Sequence, residues 1–330
     1  MDYSGIRQLF RPEAVAMKLK ALPPLESPVM DSIFSNRQQI PLPVVGKHEV
    51  LPNVKELPLV RRGMSAYSVN DDRHELEFYE PYPVRFSHEL SAMDMNNLRV
   101  LTGEGLDLWV TNKIDNMRTA YRKTCEAICS VVITTGKVSW PVKQNNASGQ
   151  LGTYVVDFGA PLSVMPEKTW NATGVNIKDV YVTLKAMRKQ LRLQGYGASV
   201  EIWAGSDTFE ELVSIVQAHS EKSSIKVELR EAEIVIAGLV IKERSEIYFD
   251  PATDTPVPTI PGNALLMIAT DAGHRLVYCA VDDLDAKLQP MPFFVKPVQI
   301  ADPSQIKLIA EGKPFPIANV KGICRAFVLS

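Results

Sequence analysis

Leu106 to Gly136 reads LDLWVTNKIDNMRTAYRKTCEAICSVVITTG, and the rest of the chain is arranged around this stretch. Its apolar residues recur at Leu106, Trp109 or Val110, Ile114, Met117, Tyr121, Cys125, Ile128 and Val132. Steps of three and four place them on one stripe of a helix. Lys113, Asp115, Arg118, Arg122, Lys123 and Glu126 occupy the other side, so one amphipathic helix is predicted. Gly136 ends it, because glycine takes the left-handed conformation of a helix terminus at no steric cost. A helix of roughly 30 residues spans about 45 Å, long enough to act as a spine for other elements. Two β-rich runs follow, Lys137 to Val142 and Thr153 to Phe158, joined by the polar turn Asn146 to Gln150.

Chain totals narrow the possibilities. At 330 residues and 45% apolar content the chain can bury one large core or two ordinary ones. A net charge of −2 supplies no global positive field for holding nucleic acid, so DNA binding as the main function is not expected. Apolar runs fall short of the roughly 20 residues needed to cross a bilayer, and MDYSGIRQLFRPE is not the start of a signal peptide. A cytoplasmic protein with no membrane partner is expected. The four cysteines, Cys125, Cys129, Cys279 and Cys324, read as reduced core thiols. Twenty-three prolines cluster outside the central helix and suggest long extended arms.

Phe10 to Leu22 reads as a short helix, after which Pro23, Pro24 and Pro28 stop helix formation. From Phe34 to Pro58 the chain is expected to run extended, without a core of its own. Val54 to Arg62 and Glu75 to Phe86 read as the two sides of a long β-ribbon. A two-stranded ribbon is marginal in water, so a second surface, such as another subunit, is expected beneath it. Further on, Asp179 is expected to cap a helix closed by Gly195, Ser199 to Trp203 is a strand, and Ser206 or Asp207 with Glu210 caps a helix from Phe209 to His219. Ile225 to Phe249 is strand-rich. ALLMIAT and RLVYCAV read as buried strands, and the tail alternates strands (Pro292 to Ile300, Gln305 to Ala310, Ile323 to Leu329) with turns at Asp302-Pro303 and Gly312 to Pro316.

No catalytic motif has the right spacing. Gly195-Tyr196-Gly197 precedes a strand instead of opening a helix, the wrong order for phosphate to meet a helix N-terminus. His48, His74, His88, His219 and His274 are dispersed, with no His-x-x-x-His or Cys-x-x-Cys, so no metal and no cofactor is expected. No Gly-x-Ser-x-Gly elbow is present. The Asn146-Ala147-Ser148 and Asn171-Ala172-Thr173 sequons read as turn residues. Arg61-Arg62 is either a solvated basic pair or a contact with acid on a neighbour.

The order of these parts resembles the phage major capsid protein E family, the major capsid proteins of lambda-type tailed phages. The resemblance is carried by PVMDSIF, by LPLVRRG followed by LEFYEPYPVRFSHEL, by TTGKVSW with TYVVDFG, by VEIWAGSDTFEEL, and by FDPATDTPVPTIPGNALLMIAT. It covers nearly the whole chain. It implies an α+β Hong Kong 97-type capsid fold: an N-terminal arm at 1–50, an extended loop at 51–92, a peripheral domain with the spine helix at 93–175, and an axial domain at 176–285. Strands at 286–330 return to the peripheral and axial domains. It also implies a structural protein, not an enzyme, with no active site to transfer, self-assembling into pentamers and hexamers of an icosahedral head that encloses double-stranded DNA. Portal, scaffolding and decoration proteins and nonspecific contact with packaged DNA are the implied partners. Scaffolding is expected from a separate protein, and no lysine–asparagine crosslink is expected. Assembly would take place in the host cytoplasm, with the virion as destination.

Extended arms would leave Ile33, Phe34, Phe78 and Tyr79 without an intramolecular core. Together with Arg61, Arg62 and Arg85 they form the expected assembly interface. Two other readings are a cellular nanocompartment shell of the encapsulin type, with an interior groove for a cargo peptide, and a metabolic α/β enzyme, which would require a deep polar pocket with convergent titratable groups.

Overall fold

The computed structural model describes residues 3–47, 78–101, 103–143, 151–218, 225–302 and 304–329. The long helix runs Glu104–Thr135 and ends on Gly136 at φ 77°. A side chain there would collide with the backbone carbonyl of Gly159, so both conformation and space require glycine. The helix serves two cores in succession. Val110, Ile114 and Met117 pack with Ile6, Phe10, Val15, Leu90 and Leu308. One to two turns later Tyr121, Cys125, Ile128 and Val132 enter a larger core with Phe158, Trp203, Leu266 and Phe315. The predicted stripe is therefore the buried one. Part of the polar side is covered as well, because the N-terminal segment lies along it.

That segment is more helical than its prolines imply. Tyr3–Leu9 and Pro12–Ala21 are separate helices, and Pro28–Ser32 is a third. Pro12 begins its helix as expected, and Pro28 begins one instead of stopping it, since a first-turn residue has no intrahelical partner for its N–H and proline's φ is already helical. Asn36–Ile40 then forms an edge strand, parallel to Arg275–Cys279 with Asn36 opposite Arg275. Pro314–Ile317 pairs with the other side of Arg275–Cys279, where a turn was expected. Pro314 and Pro316 are tolerated there because the strand is the opposite edge of this three-stranded sheet.

A seven-stranded sheet forms the other half of the molecule, in the order Leu162–Ser163, Ile323–Phe327, Ala264–Ala269, Val200–Ala204, Leu239–Glu243, Glu233–Ile236, Val227–Leu229. Ala264–Ala269 is buried at every position because both faces are covered. Leu266 and Ile268 face the core of the long helix, while Leu265 and Met267 face the helices Ile177–Leu193 and Ser206–Gln217. The uninterrupted apolar run is the sequence mark of such a strand. Asn176, not Asp179, caps the first of these helices. Asp179 completes the box from the third helical position by accepting from the Asn176 N–H. The second begins at Ser206 after Gly205, with no side-chain cap. There a Cβ would strike the Pro261 carbonyl, so the N-cap position itself must be glycine, one or two residues before the serine or aspartate expected to cap the helix.

The ribbon reading is revised where it can be followed. Phe78–Tyr79 pairs with Val45–Gly46, and Val84–Ser91 joins Gln305–Gly312 and Phe294–Ile300 in a three-stranded sheet. The expected partner strand, Val54 to Arg62, lies outside the described residues.

Candidate assembly surfaces

The N-terminal segment is clamped to the spine by side chains spaced along it. Lys18 Nζ donates to Asp107 and to Thr111 Oγ1 (2.5 and 2.9 Å). Arg118 donates to the Pro23 carbonyl at 2.9 Å. Arg122 reaches Ser27 Oγ at 2.6 Å and Asp31 at 2.7 Å. Glu126 accepts from the backbone N–H groups of Val29 and Met30 (2.6 and 2.9 Å), capping the Pro28–Ser32 helix from outside with a negative charge where its dipole favours one. Burial nevertheless raises the Glu126 carboxyl above its ordinary value, against these two bonds.

This clamp decides the fate of two expected interface residues. With Pro28 starting a helical turn and Glu126 fixing its end, Ile33 and Phe34 turn into the main core beside Val29 and Met30. Phe34 lies edge-on to the buried His274 ring at 6.2 Å. The expectation that they lack an intramolecular core is corrected. Tyr79 is half-buried between Phe158 and Phe315, at 6.3 and 6.1 Å, so it too has a core. Phe78, on the opposite face of its strand, is 53% exposed. Arg85 is half-exposed, with Nε 3.2 Å from the buried Glu311 carboxylate. Burial raises the Glu311 carboxyl and the Arg85 charge opposes that shift. Arg61 and Arg62 lie outside the described residues.

Two adjoining grooves meet at Trp140. The larger, about 620 Å³, is lined by Leu25, Pro28, Arg122, Lys123, Trp140 and Tyr248, among others. The second, about 450 Å³, lies between Tyr82, Thr124, Ile128, Trp140 and Tyr154. Aromatic contacts stiffen the walls: Trp140 against Tyr248 at 5.8 Å, and Tyr82 stacked on Tyr154 at 4.5 Å. Tyr154 donates its hydroxyl to the Glu80 carbonyl at 2.8 Å. Beside the larger groove Ile247 and Phe249 are mostly exposed. These residues escaped the sequence reading because a three-residue strand carrying two apolar side chains resembles any buried strand. The Pro-rich run after it was the available signal.

The titratable groups buried nearby are silenced and not activated. Burial pushes the Cys125 and Cys324 thiols up to about 12 and raises Cys129 further above its usual range. Burial also lowers His274 to about 4. Among the described residues no group of three His, Cys, Asp or Glu side chains is placed to hold a metal ion, and no helix is long and apolar enough to cross a membrane. The arrangement supplies apolar and charged contact surface.

The fold has counterparts among solved structures. The chain is similar to a structure described as a capsid protein of a prophage of E. coli CFT073, at TM-score 0.64 and 15% identity over 96% of this chain and 99% of that one. The capsid asymmetric unit of cyanophage A-1(L) matches at TM-score 0.47 and 13% identity, over 98% and 99% of the two chains. The SrpI encapsulin of Synechococcus elongatus PCC 7942 matches at 0.46 and 10%, over 96% of each chain. No curated protein matches by sequence. The fold is the Hong Kong 97-type α+β fold of viral capsid subunits. The family model for phage major capsid protein E matches residues 13–328, and the chain belongs to that family. It is a capsid shell protein, structural and not enzymatic in role.

Proposed function

We propose that this chain is the major head protein of a tailed phage, joining in rings of five and six to close an icosahedral shell around double-stranded DNA. Its coarser role, self-assembly into the shell of the virion, follows from its family. The observation that carries the finer reading is a well-cored subunit that still exposes large apolar side chains: Phe78, Ile247 and Phe249 are each more than half exposed, two of them beside an aromatic groove. A finished monomer gains nothing from that arrangement, whereas repeated head-to-tail contacts would cover it in every copy. In the same reading, residues 1–50 are the arm, 51–92 the extended loop, 93–175 the peripheral domain, 176–285 the axial domain and 286–330 the returning strands. Portal, scaffolding and decoration proteins are the partners, DNA is touched nonspecifically, and assembly takes place in the host cytoplasm. Phe78 and Arg85 remain in the proposed interface on their exposure. Arg61 and Arg62 remain on sequence alone, while Ile33, Phe34 and Tyr79 support it from the core side.

Electron microscopy of the purified protein, with nuclease-protection analysis of particles made during infection or induction, tests this. Closed shells protecting double-stranded DNA are expected. A compact monomer under all assembly conditions would refute the reading, and shells filled with an enzyme would replace it by the nanocompartment alternative.

A further inference from the structure

The two helices on the outer face of the seven-stranded sheet carry opposite charge at opposite flanks. Ile177–Leu193 packs on the strands Leu162–Ser163, Ile323–Phe327 and Ala264–Ala269, toward one edge. Lys178, Lys185, Lys189 and Arg192 are all exposed on it. Their spacing of seven, four and three residues aligns them on a single stripe. None forms an ion pair within the subunit's described residues; Lys185 lies only over the Tyr181 ring, at 5.8 Å. Ser206–Gln217 contacts Val227–Leu229, the strand at the other edge. It carries Asp207, Glu210 and Glu211 and no basic residue. The two edge strands are six strand spacings apart, roughly 29 Å at about 4.8 Å each, several screening lengths in physiological salt.

The helix dipole accounts for Asp207 in a first turn and Arg192 in a last turn, but not for the lysines. Lys178 sits in the first turn, where the helix dipole disfavours a cation. Lys185 and Lys189, four residues apart, repel one another. Each flank also exposes apolar side chains, Val182 and Leu193 on the basic side and Leu229 on the acidic side. Such a mixture is suited to being covered by another protein surface.

We infer that the basic flank of one subunit docks on the acidic flank of a second copy of the same chain, side by side around a ring. This rests on the shell reading above and adds the pair of surfaces that meet. A basic helix toward one edge and an acidic helix toward the other make a heterologous contact, and the same contact repeated by rotation closes a ring; the edge strand beside the acidic helix is itself mixed, with Lys226 and Arg230 next to Glu228. Like-charge juxtaposition opposes any pairing that sets basic flank on basic flank or acidic flank on acidic flank.

Charge reversal tests it. Lys185→Glu with Lys189→Glu, and separately Glu210→Lys with Glu211→Lys, should each cut the yield of closed particles on a sucrose gradient by about tenfold or more, with the subunit's circular dichroism unchanged. Combining all four changes should restore particles to within about threefold of the original. If a reversed pair unfolds, the Gln pairs at the same positions serve instead. Unchanged yield in either pair, or no recovery in the combined variant, overturns the inference while leaving the shell reading intact. If the lysine variants build normal shells but lose binding to a short DNA duplex, the stripe is a nucleic-acid face and the inference falls. A wild-type chain that makes no particles would instead overturn the shell reading and this inference with it.

Discussion

Acid should weaken the subunit through a single buried imidazole. His274 is 4% exposed. Its Nδ1 accepts the Asn319 N–H at 3.3 Å, which leaves the ring proton on Nε2. Asn319 in turn donates its side-chain amide to the Tyr196 hydroxyl at 2.8 Å and to the Ala272 carbonyl at 3.2 Å, so the imidazole lies at a joint between the two large cores. Burial lowers His274 from 6.5 to about 4, with the Ala269 carbonyl and Asp271 as the opposing influences. For a base whose folded value is depressed, the stabilising contribution is complete above the unfolded value, near 6.5, and is lost as pH falls toward the folded one. At 1.36 kcal/mol per unit, about two and a half units give about 3 kcal/mol by pH 4. A proton on Nδ1 would also face the Asn319 N–H donor and break that bond. The assay is urea unfolding between pH 7 and pH 4 for the natural chain and for His274→Gln, which keeps an acceptor and cannot titrate. The natural chain should lose about 3 kcal/mol more than the variant across that window. Carboxylates such as Glu126 and Glu311 titrate in both proteins and cancel. Parallel curves would show that the imidazole is not held neutral by burial.

Ile128→Asp places a carboxylate in the main core at a cost of several kcal/mol, and expression should yield insoluble subunit; soluble protein with normal helix content would contradict the packing. Glu126→Ala strips both acceptors from the Val29 and Met30 N–H groups. A loss of about 2 kcal/mol is expected, with faster limited proteolysis of residues 3–34 before the rest of the chain is cut. Gly312→Ala drives a methyl group into the Tyr121 hydroxyl and should cost about 1–3 kcal/mol in thermal or urea unfolding. Pairing it with Tyr121→Phe should recover part of that loss.

The long helix was legible in the chain alone because its signal is local and redundant: seven steps of three or four residues, with a glycine at the end that no other residue replaces. Ala264–Ala269 was equally readable as a buried strand, since an unbroken apolar run of strand length leaves no solvent face. The family was readable from the order of several weak segments. Which surface is inside and which outside was not. Ile33 and Phe34 follow three prolines and looked stranded on an extended arm. They are buried because Glu126, more than ninety residues away in sequence, supplies the cap that lets Pro28 start a helix. Phe78 and Tyr79 are adjacent and chemically alike, yet Gly46 and Val45 pair with them and the strand turns one ring outward and the other onto Phe158 and Phe315. The same holds for charge. Five cations on one helix and three acids on another are visible in the sequence, but only the strand order sends them to opposite flanks of one sheet. Local periodicity is set by neighbours a few residues apart. Sidedness is set by which distant segment arrives first to cover a face, and that is a property of the tertiary structure alone.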